Sequence, residues 1–171
     1  MIYNKCGSDH TSINPTDRKK KTTKIVVITT TKNNVFDKCI PLSISSFEAK
    51  VHDTNTIVRS VMNIPDTLKK TRNIDLVGDK GYILRQDRKN LVLSCGISVV
   101  TPFKKNQKKT HTPQTRKILR KRRGIENCFS YLKNYNRIAT RRDRNIVNYI
   151  GFVFLGCIKF LSITVTKKKC C

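Results

Sequence analysis

The chain has few acidic residues: 11 Asp and Glu stand against 36 Lys and Arg in 171 residues, giving a formal net charge of +25. Solubility alone does not require such an excess, which indicates a polyanionic partner. Nucleic acid is the first candidate and an anionic membrane surface the second. A poorly folded basic reading frame is the alternative, but the 37% hydrophobic content favours a packed core in a single domain.

The chain also lacks any C-x-x-C pair, although it contains seven cysteines. Zinc ribbons and secreted disulfide frameworks need regular cysteine spacing, so neither is supported. Reduced thiols in a cytosolic or nuclear setting fit the scattered pattern better. Cys170 and Cys171 end a short basic tail, residues 167–171, for which a lipidated or redox-active tail is one interpretation and a disordered terminus the preferred one.

No apolar stretch of the kind found in signal peptides follows Met1, so we expect the protein in the cytoplasm or nucleus. The longest apolar run, residues 146–165, is long enough to span a membrane but contains Lys159 and two glycines. We interpret this run as a buried core helix. A small basic membrane protein is the alternative, and recovery in a soluble fraction without detergent would exclude it.

The apolar patterns predict one mixed α/β domain over residues 1–166. The polar residues 1–23 predict a loop. The expected order after that loop is β-β-α-β-α-β-α-α. The strands are predicted at 24–31, 42–47, 73–78 and 97–101, and the helices at about 54–62, 84–94, 115–132 and from 144 onward.

Two carboxylates occur in positions that favour a catalytic or metal-binding role. Asp79 ends the apolar run 74–78, and ligands of open α/β sheets bind beyond the carboxyl ends of strands. Glu126 lies four residues after Arg122 and seven before Lys133, so all three share roughly one face of a basic helix. Such a pair is half of a two-metal phosphoryl-transfer site. The ordinary alternatives are a turn-forming aspartate and an exposed Arg–Glu pair.

In this order the residues resemble DDE transposases of bacterial-type insertion sequences. The specific parts are Gly78-Asp79-Lys80-Gly81-Tyr82 and the block Arg122, Glu126, Lys133; residues 23–26, 41–42, 52–53, 99–102, 141 and 144 support them. The resemblance implies a ribonuclease H-like fold that cuts and joins DNA ends with Mg²⁺ or Mn²⁺. Asp79 and Glu126 would be the second and third catalytic carboxylates and would hold the metal.

The resemblance also implies that Arg122 and Lys133 contact DNA phosphates. Further candidates for salt-sensitive phosphate contacts are Arg123, Arg141, Lys104 and Lys105. For the basic loop that begins at Lys104, a solvated surface is an equally good explanation. The sequence leaves open whether the chain forms a homodimer, as such transposases generally do.

Two positions depart from the family pattern. Leu119 stands where the family has a tyrosine, and no aspartate ends an apolar strand ahead of Lys24. We therefore expect the first catalytic strand to be missing, and neither Asp9 nor Asp17 is a good substitute. An inactive DNA-binding remnant and a non-enzymatic basic nucleic-acid-binding protein are the alternatives. A missing inner strand would expose backbone donors and acceptors on its neighbour.

Overall fold

The fold is mixed α/β, with sheets flanked by helices, as predicted. A computed structural model describes residues 2–4, 9–13, 20–31, 39–69, 74–104 and 110–166. The tail 167–171, Asp17 and Lys105 lie outside these described residues. The strands are β1 (Ile2–Asn4), β2 (Ser12–Ile13), β3 (Lys21–Thr29), β4 (Pro41–Glu48), β5 (Ile74–Val77), β6 (Ile97–Val100) and β7 (Thr140–Arg141). The helices are α1 (Asp53–Met62), α2 (Asp66–Lys69), α3 (Gln86–Ser94), α4 (Pro113–Arg120), α5 (Arg123–Lys133), α6 (Asn136–Ala139) and α7 (Ile146–Thr166).

Strand β3 organises the larger sheet, and its two edges are paired unequally. Thr23 faces Ile2 of β1 on one edge and Glu48 of β4 on the other. β4 follows β3 antiparallel as far as Thr29, whereas β1 pairs only with Thr22 and Thr23. From residue 24 onward, the β1 side of β3 has no strand partner among the described residues.

The smaller sheet is the parallel pair β5 and β6, in register from Ile74–Ile97 to Val77–Val100. Parallel neighbours need a crossover, which α3 supplies. Helix α3 ends just before Gly96, whose φ of 71° lies in the left-handed region that glycine adopts without strain. The chain therefore turns sharply enough to return beside β5.

Two apolar clusters cover opposite faces of β3. Ile28 belongs to the cluster formed with Ile57 of α1 and Val92 of α3. Ile25, three residues earlier, packs instead against the cluster built by α5, α6 and α7. Because side chains alternate along a strand, this division places one cluster on each side of the sheet. β3 is thus buried on both faces, which explains its nearly continuous β-branched sequence.

The prediction that residues 1–23 form only a loop is wrong. β1 and β2 lie there, and β1 also pairs parallel with β7. These strands are too short to show periodicity, so pairing with β3 determines them rather than their own sequence. The single helix predicted from about Thr115 is also wrong, because α4 and α5 are separate. Gly124 follows the break, and a Cβ there would lie 2.1 Å from the Cys39 sulfur, so the close packing requires glycine.

Helix α7 is a core helix along one stripe only. The buried residues recur every three or four positions, at Tyr149, Val153, Cys157 and Phe160. The opposite face exposes Val147, Phe154, Leu155 and Ile158. By length and composition alone, Ile146–Ile163 could also cross a membrane. A single helix of this kind is weak evidence for a membrane span, because the core helix of a soluble protein passes the same test. The stripe packed against α5 and α6 is compatible with a core helix.

Candidate active site at the cleft between the sheets

A cavity of about 540 Å³ lies between the facing strands β3 and β5. Residues 25–31 form one wall and residues 74–79 the other. Ile57 reaches the cavity from α1 and Ile64 from the loop after α1, while Ile125 and Phe129 reach it from α5. Asp79 and Arg122, both predicted site residues, line this same cleft.

Asp79 stands where β5 ends. The Gly78 amide donates to the Val100 carbonyl at 3.0 Å and closes the ladder, after which Asp79 is exposed. Its Oδ1 accepts from the Lys80 amide at 2.8 Å and caps a short 3₁₀ turn over Lys80–Tyr82. The turn-forming role is therefore real. It occupies one carboxylate oxygen, and Oδ2 accepts no hydrogen bond from the described residues.

Glu126 lies in the first turn of α5, where the helix dipole favours a negative charge. Its Oε1 is 3.5 Å from a terminal nitrogen of Arg122, and its side chain is 61% exposed. An exposed pair at this distance contributes at most about 1 kcal/mol, so both groups can exchange partners readily. Arg122 is the link between Glu126 and the cleft that Asp79 lines.

The other predicted DNA-contacting residues divide into two groups. Arg123 at the start of α5, Lys133 at its end and Lys104 after β6 are exposed. Arg141, in contrast, is fully buried. Its position corrects the expectation that it contacts DNA, because a buried guanidinium cannot reach a phosphate.

The Arg141 guanidinium serves the fold instead. It donates to the carbonyls of Asp9, Asp143 and Arg144 at 2.6–2.9 Å, and to the Thr23 hydroxyl at 2.9 Å. Burial lowers the pKa of Arg141 from its usual value. These bonds tie β3, the turn at Asp9 and the loop before α7 together.

A partly buried ion pair that the sequence did not predict lies next to the turn that follows Asp79. Lys24 of β3 is almost fully buried, and its ammonium lies 2.8 Å from the Asp53 carboxylate. It also donates to the Val51 carbonyl. His52, and not Asp53, is the N-cap of α1, and its side chain accepts from the Thr54 amide. The only sequence signal was a lysine at the head of an apolar strand.

Tyr82 lies close enough to both Asp53 and Asp79 for their charges to act on its phenol. Burial, and next the charge of Asp53, raise the pKa of Tyr82 to about 12, and Asp79 adds a smaller contribution. The phenol is therefore neutral at physiological pH. Its ring packs against Gly78, where an added Cβ would lie 3.2 Å from the tyrosine Cβ.

Gly81 allows the 3₁₀ turn to approach Asp53. An added Cβ would lie 2.7 Å from Asp53 Oδ2, inside normal contact, so Gly81→Ala must shift the carboxylate whose other oxygen pairs with Lys24. We expect a loss of about 1–3 kcal/mol in the free energy of unfolding, since a buried ammonium would lose part of its pairing. Urea denaturation measures this loss. Gly151→Ala, at an open helical position, is the control and should not destabilise the protein.

The described residues contain no group of three or more His, Cys, Asp or Glu side chains that could hold a metal ion. Asp79 and Glu126 nevertheless supply hard oxygen ligands, which Mg²⁺ and Mn²⁺ prefer. Mg²⁺ is often held by only one or two carboxylates together with substrate phosphates and waters. Asp79 and Glu126 thus supply ligand atoms of the right kind, and Arg122, the partner of Glu126, lines the cleft together with Asp79.

The sheets are flanked by helices, one acidic residue follows a strand, and another lies on a basic helix. This arrangement is compatible with the ribonuclease H-like class of fold. Residues 6–158 match the family model described as "Transposase DDE domain", and the chain belongs to this family. Searches of curated proteins and of solved structures found no match. Membership associates the chain with transposition and DNA cleavage in general, and domains of this family generally use divalent metals.

Proposed function

We propose that this protein cuts and joins DNA at transposon ends, with Asp79 and Glu126 as its metal-holding catalytic carboxylates. The observation that supports the proposal is the placement of Asp79 and Arg122 on one cleft, with Arg122 next to Glu126. That arrangement occurs in a chain of the transposase DDE family. One domain over residues 1–166, acting in the cytoplasm or nucleus, completes the proposal.

Each residue has a separate part in the proposed reaction. Asp79 and Glu126 would hold Mg²⁺ or Mn²⁺, which when bound activates the attacking oxygen and stabilises the leaving oxygen. Arg122 would place its guanidinium against the scissile phosphate. Guanidinium groups match phosphate geometry, and moving away from Glu126 costs Arg122 little. The guanidinium would then offset the negative charge that develops on the phosphate oxygens.

The remaining exposed cations would hold the duplex without reading its sequence. Arg123 and Lys133 lie at the two ends of α5, and Lys104 follows β6. Phosphate contacts of this kind position DNA and weaken as salt increases. Lys105 belongs to the same proposal. Arg141 is left out because it is buried.

A nicking assay on supercoiled plasmid tests the catalytic proposal. We expect cleavage with Mn²⁺ or Mg²⁺, none with EDTA, and a large loss in Glu126→Gln. Glu48→Gln is the matched control, because Glu48 is also a glutamate paired with a basic residue, here Lys50, but lies on β4. Cleavage that survives EDTA, or an equal loss in both variants, would contradict the assignment of Glu126.

A non-enzymatic DNA-binding protein is the second candidate. The observation that favours it is that no group of three or more His, Cys, Asp or Glu side chains among the described residues could hold a metal ion. Salt-dependent binding without any metal-dependent cleavage would support it. Comparing DNA binding and cleavage in one preparation therefore separates the two candidates.

Lys133→Gln should weaken DNA binding without changing sequence preference. Loss of one phosphate contact should reduce the slope of log K against log salt by about 1. Fluorescence anisotropy with a labelled duplex at several salt concentrations measures the slope. Lys50→Gln, an exposed lysine at the end of β4, is the control and should leave the slope unchanged. Equal slopes for wild type and Lys133→Gln would remove Lys133 from the interface.

Joining two transposon ends would require two active sites, so a homodimer on DNA is part of the proposal. Size-exclusion chromatography coupled to light scattering, with and without duplex DNA, measures the oligomeric state. A mass of one chain in both conditions would remove dimerisation from the proposal.

A further inference from the structure

Lys24 places a positive charge inside the domain, and the proposed function does not use this charge. Its side chain is 10% exposed and stands on β3 directly before the apolar residues 25–28. The ammonium lies 2.8 Å from Asp53 Oδ1 and also donates to the Val51 carbonyl. A buried ion pair adds little net stability compared with apolar packing of the same volume. The informative feature of this pair is therefore what its two side chains hold in place.

Asp53 links the Lys24 ammonium to the first turn of α1. It is the first residue of that helix, and its carbonyl accepts from the Thr56 hydroxyl at 2.8 Å. Its carboxylate is bonded to β3 and its backbone to α1. The ion pair thus fixes the beginning of α1 against β3.

The turn over Lys80–Tyr82 packs against this fixed point. Asp53 Oδ2, the oxygen not paired with Lys24, lies 2.7 Å from the place that a Cβ on Gly81 would take, so the turn approaches this closely only with glycine. The phenol of Tyr82 hydrogen-bonds to the Thr56 side chain. Two consecutive residues of the turn therefore contact the first turn of α1.

The same turn holds the Asp79 carboxylate. Asp79 Oδ1 accepts from the Lys80 amide at 2.8 Å, and the Asp79 carbonyl accepts from the Tyr82 amide at 2.9 Å. A displacement of the turn therefore moves the Asp79 carboxylate as well. Residues that orient a metal ligand without touching the metal affect metal binding strongly.

We propose that Lys24 and Asp53 are positioning residues, which hold the Asp79 carboxylate in place through the turn over Lys80–Tyr82. The inference rests on the proposed function, in which Asp79 holds the cation. It adds that a pair on β3 and α1, neither member of which is among the residues that line the cleft, determines how tightly the cation is held.

The test compares the wild type with the double variant Lys24→Met and Asp53→Ala. Removing both charges together leaves no unpaired ion inside the domain, so this variant should fold. We expect hydrogen exchange at the Lys80 and Tyr82 amides to become about fivefold faster, because contacts that oppose local opening are lost. The Mn²⁺ concentration for half-maximal plasmid nicking should rise about tenfold, the lower end of the effect of such outer partners. Saturating Mn²⁺ should restore much of the rate.

Val153→Ala is the matched control for lost stability. Val153 is buried in the cluster on the opposite face of β3, so its truncation destabilises the domain without touching the turn. A merely structural loss reduces the amount of folded protein and lowers nicking equally at every Mn²⁺ concentration. Val153→Ala should therefore leave the half-maximal Mn²⁺ concentration unchanged.

Unchanged exchange at the two amides in the double variant would overturn the proposal. So would a loosened turn with the wild-type requirement for Mn²⁺, or equal changes in Val153→Ala. The exchange measurement does not require cleavage. If the wild type nicks DNA with neither metal, the proposed function fails, while the exchange rates still show whether Lys24 and Asp53 hold the turn.

Discussion

Asp79→Asn is expected to reduce metal-dependent nicking by at least about 10²-fold, the scale of losing one preorganised charged group from a transition state. The asparagine keeps the size of the side chain and an oxygen that can accept from the Lys80 amide. Asparagine is also a good capping residue, so the turn over Lys80–Tyr82 should survive. The change therefore removes the charge of Asp79 while leaving its position intact.

Asp75→Asn is the matched control for this experiment. Asp75 is an exposed aspartate on β5, four residues before Asp79, and lines the same cleft. It lies within the strand rather than beyond its carboxyl end, so its replacement should leave nicking within about twofold of wild type. Single-turnover rates at saturating Mn²⁺ compare the two variants. Equal losses would show a general effect of cleft charge and contradict the role of Asp79.

Combining Asp79→Asn with Glu126→Gln tests whether the two carboxylates act together. Groups that hold the same cation lose function as a unit, so the double variant should be little slower than the worse single variant. Multiplied losses would indicate independent roles.

Much of the fold could be predicted from the sequence, because strong local patterns of residues agree with the strands that form. β3, β4, β5 and β6 are dense in β-branched or alternating residues, and all four were predicted within three residues of their bounds. β1, β2 and β7 have at most three residues each, too few for a period, and exist because a neighbouring strand pairs with them. Long-range pairing of this kind leaves no local signal.

The candidate site was predicted where a residue's role follows from its own position. Asp79 ends a strand, and Arg122 and Glu126 are four residues apart, so their settings could be inferred from spacing alone. The Lys24–Asp53 pair and the burial of Arg141 could not be inferred in this way. Asp53 is 29 residues from Lys24, and Asp9, one partner of Arg141, is about 130 residues from it. An arginine among other basic residues resembles a surface cation until the fold surrounds it.

Arg141→Ala is expected to be the most destabilising substitution in the chain, lowering the free energy of unfolding by about 3–5 kcal/mol. Four oxygens around the guanidinium would lose their donor, and each buried acceptor left unsatisfied costs about 1–3 kcal/mol, less where water enters the space. For a domain of this size, the loss corresponds to a fall of about 10 °C in melting temperature.

The loss of stability should depend on the shape of the donor group at position 141 as well as on its charge. Arg141→Lys keeps the charge, but one ammonium cannot span acceptors on Asp9, Thr23, Asp143 and Arg144, so it should recover less than half of the stability. Arg142→Ala, at the exposed neighbouring position, is the control and should change stability by less than about 0.5 kcal/mol. Urea denaturation of the three variants measures these differences. If Arg141→Ala is as stable as Arg142→Ala, the guanidinium does not hold β3 to the loop before α7, and a role for Arg141 on DNA would have to be considered again.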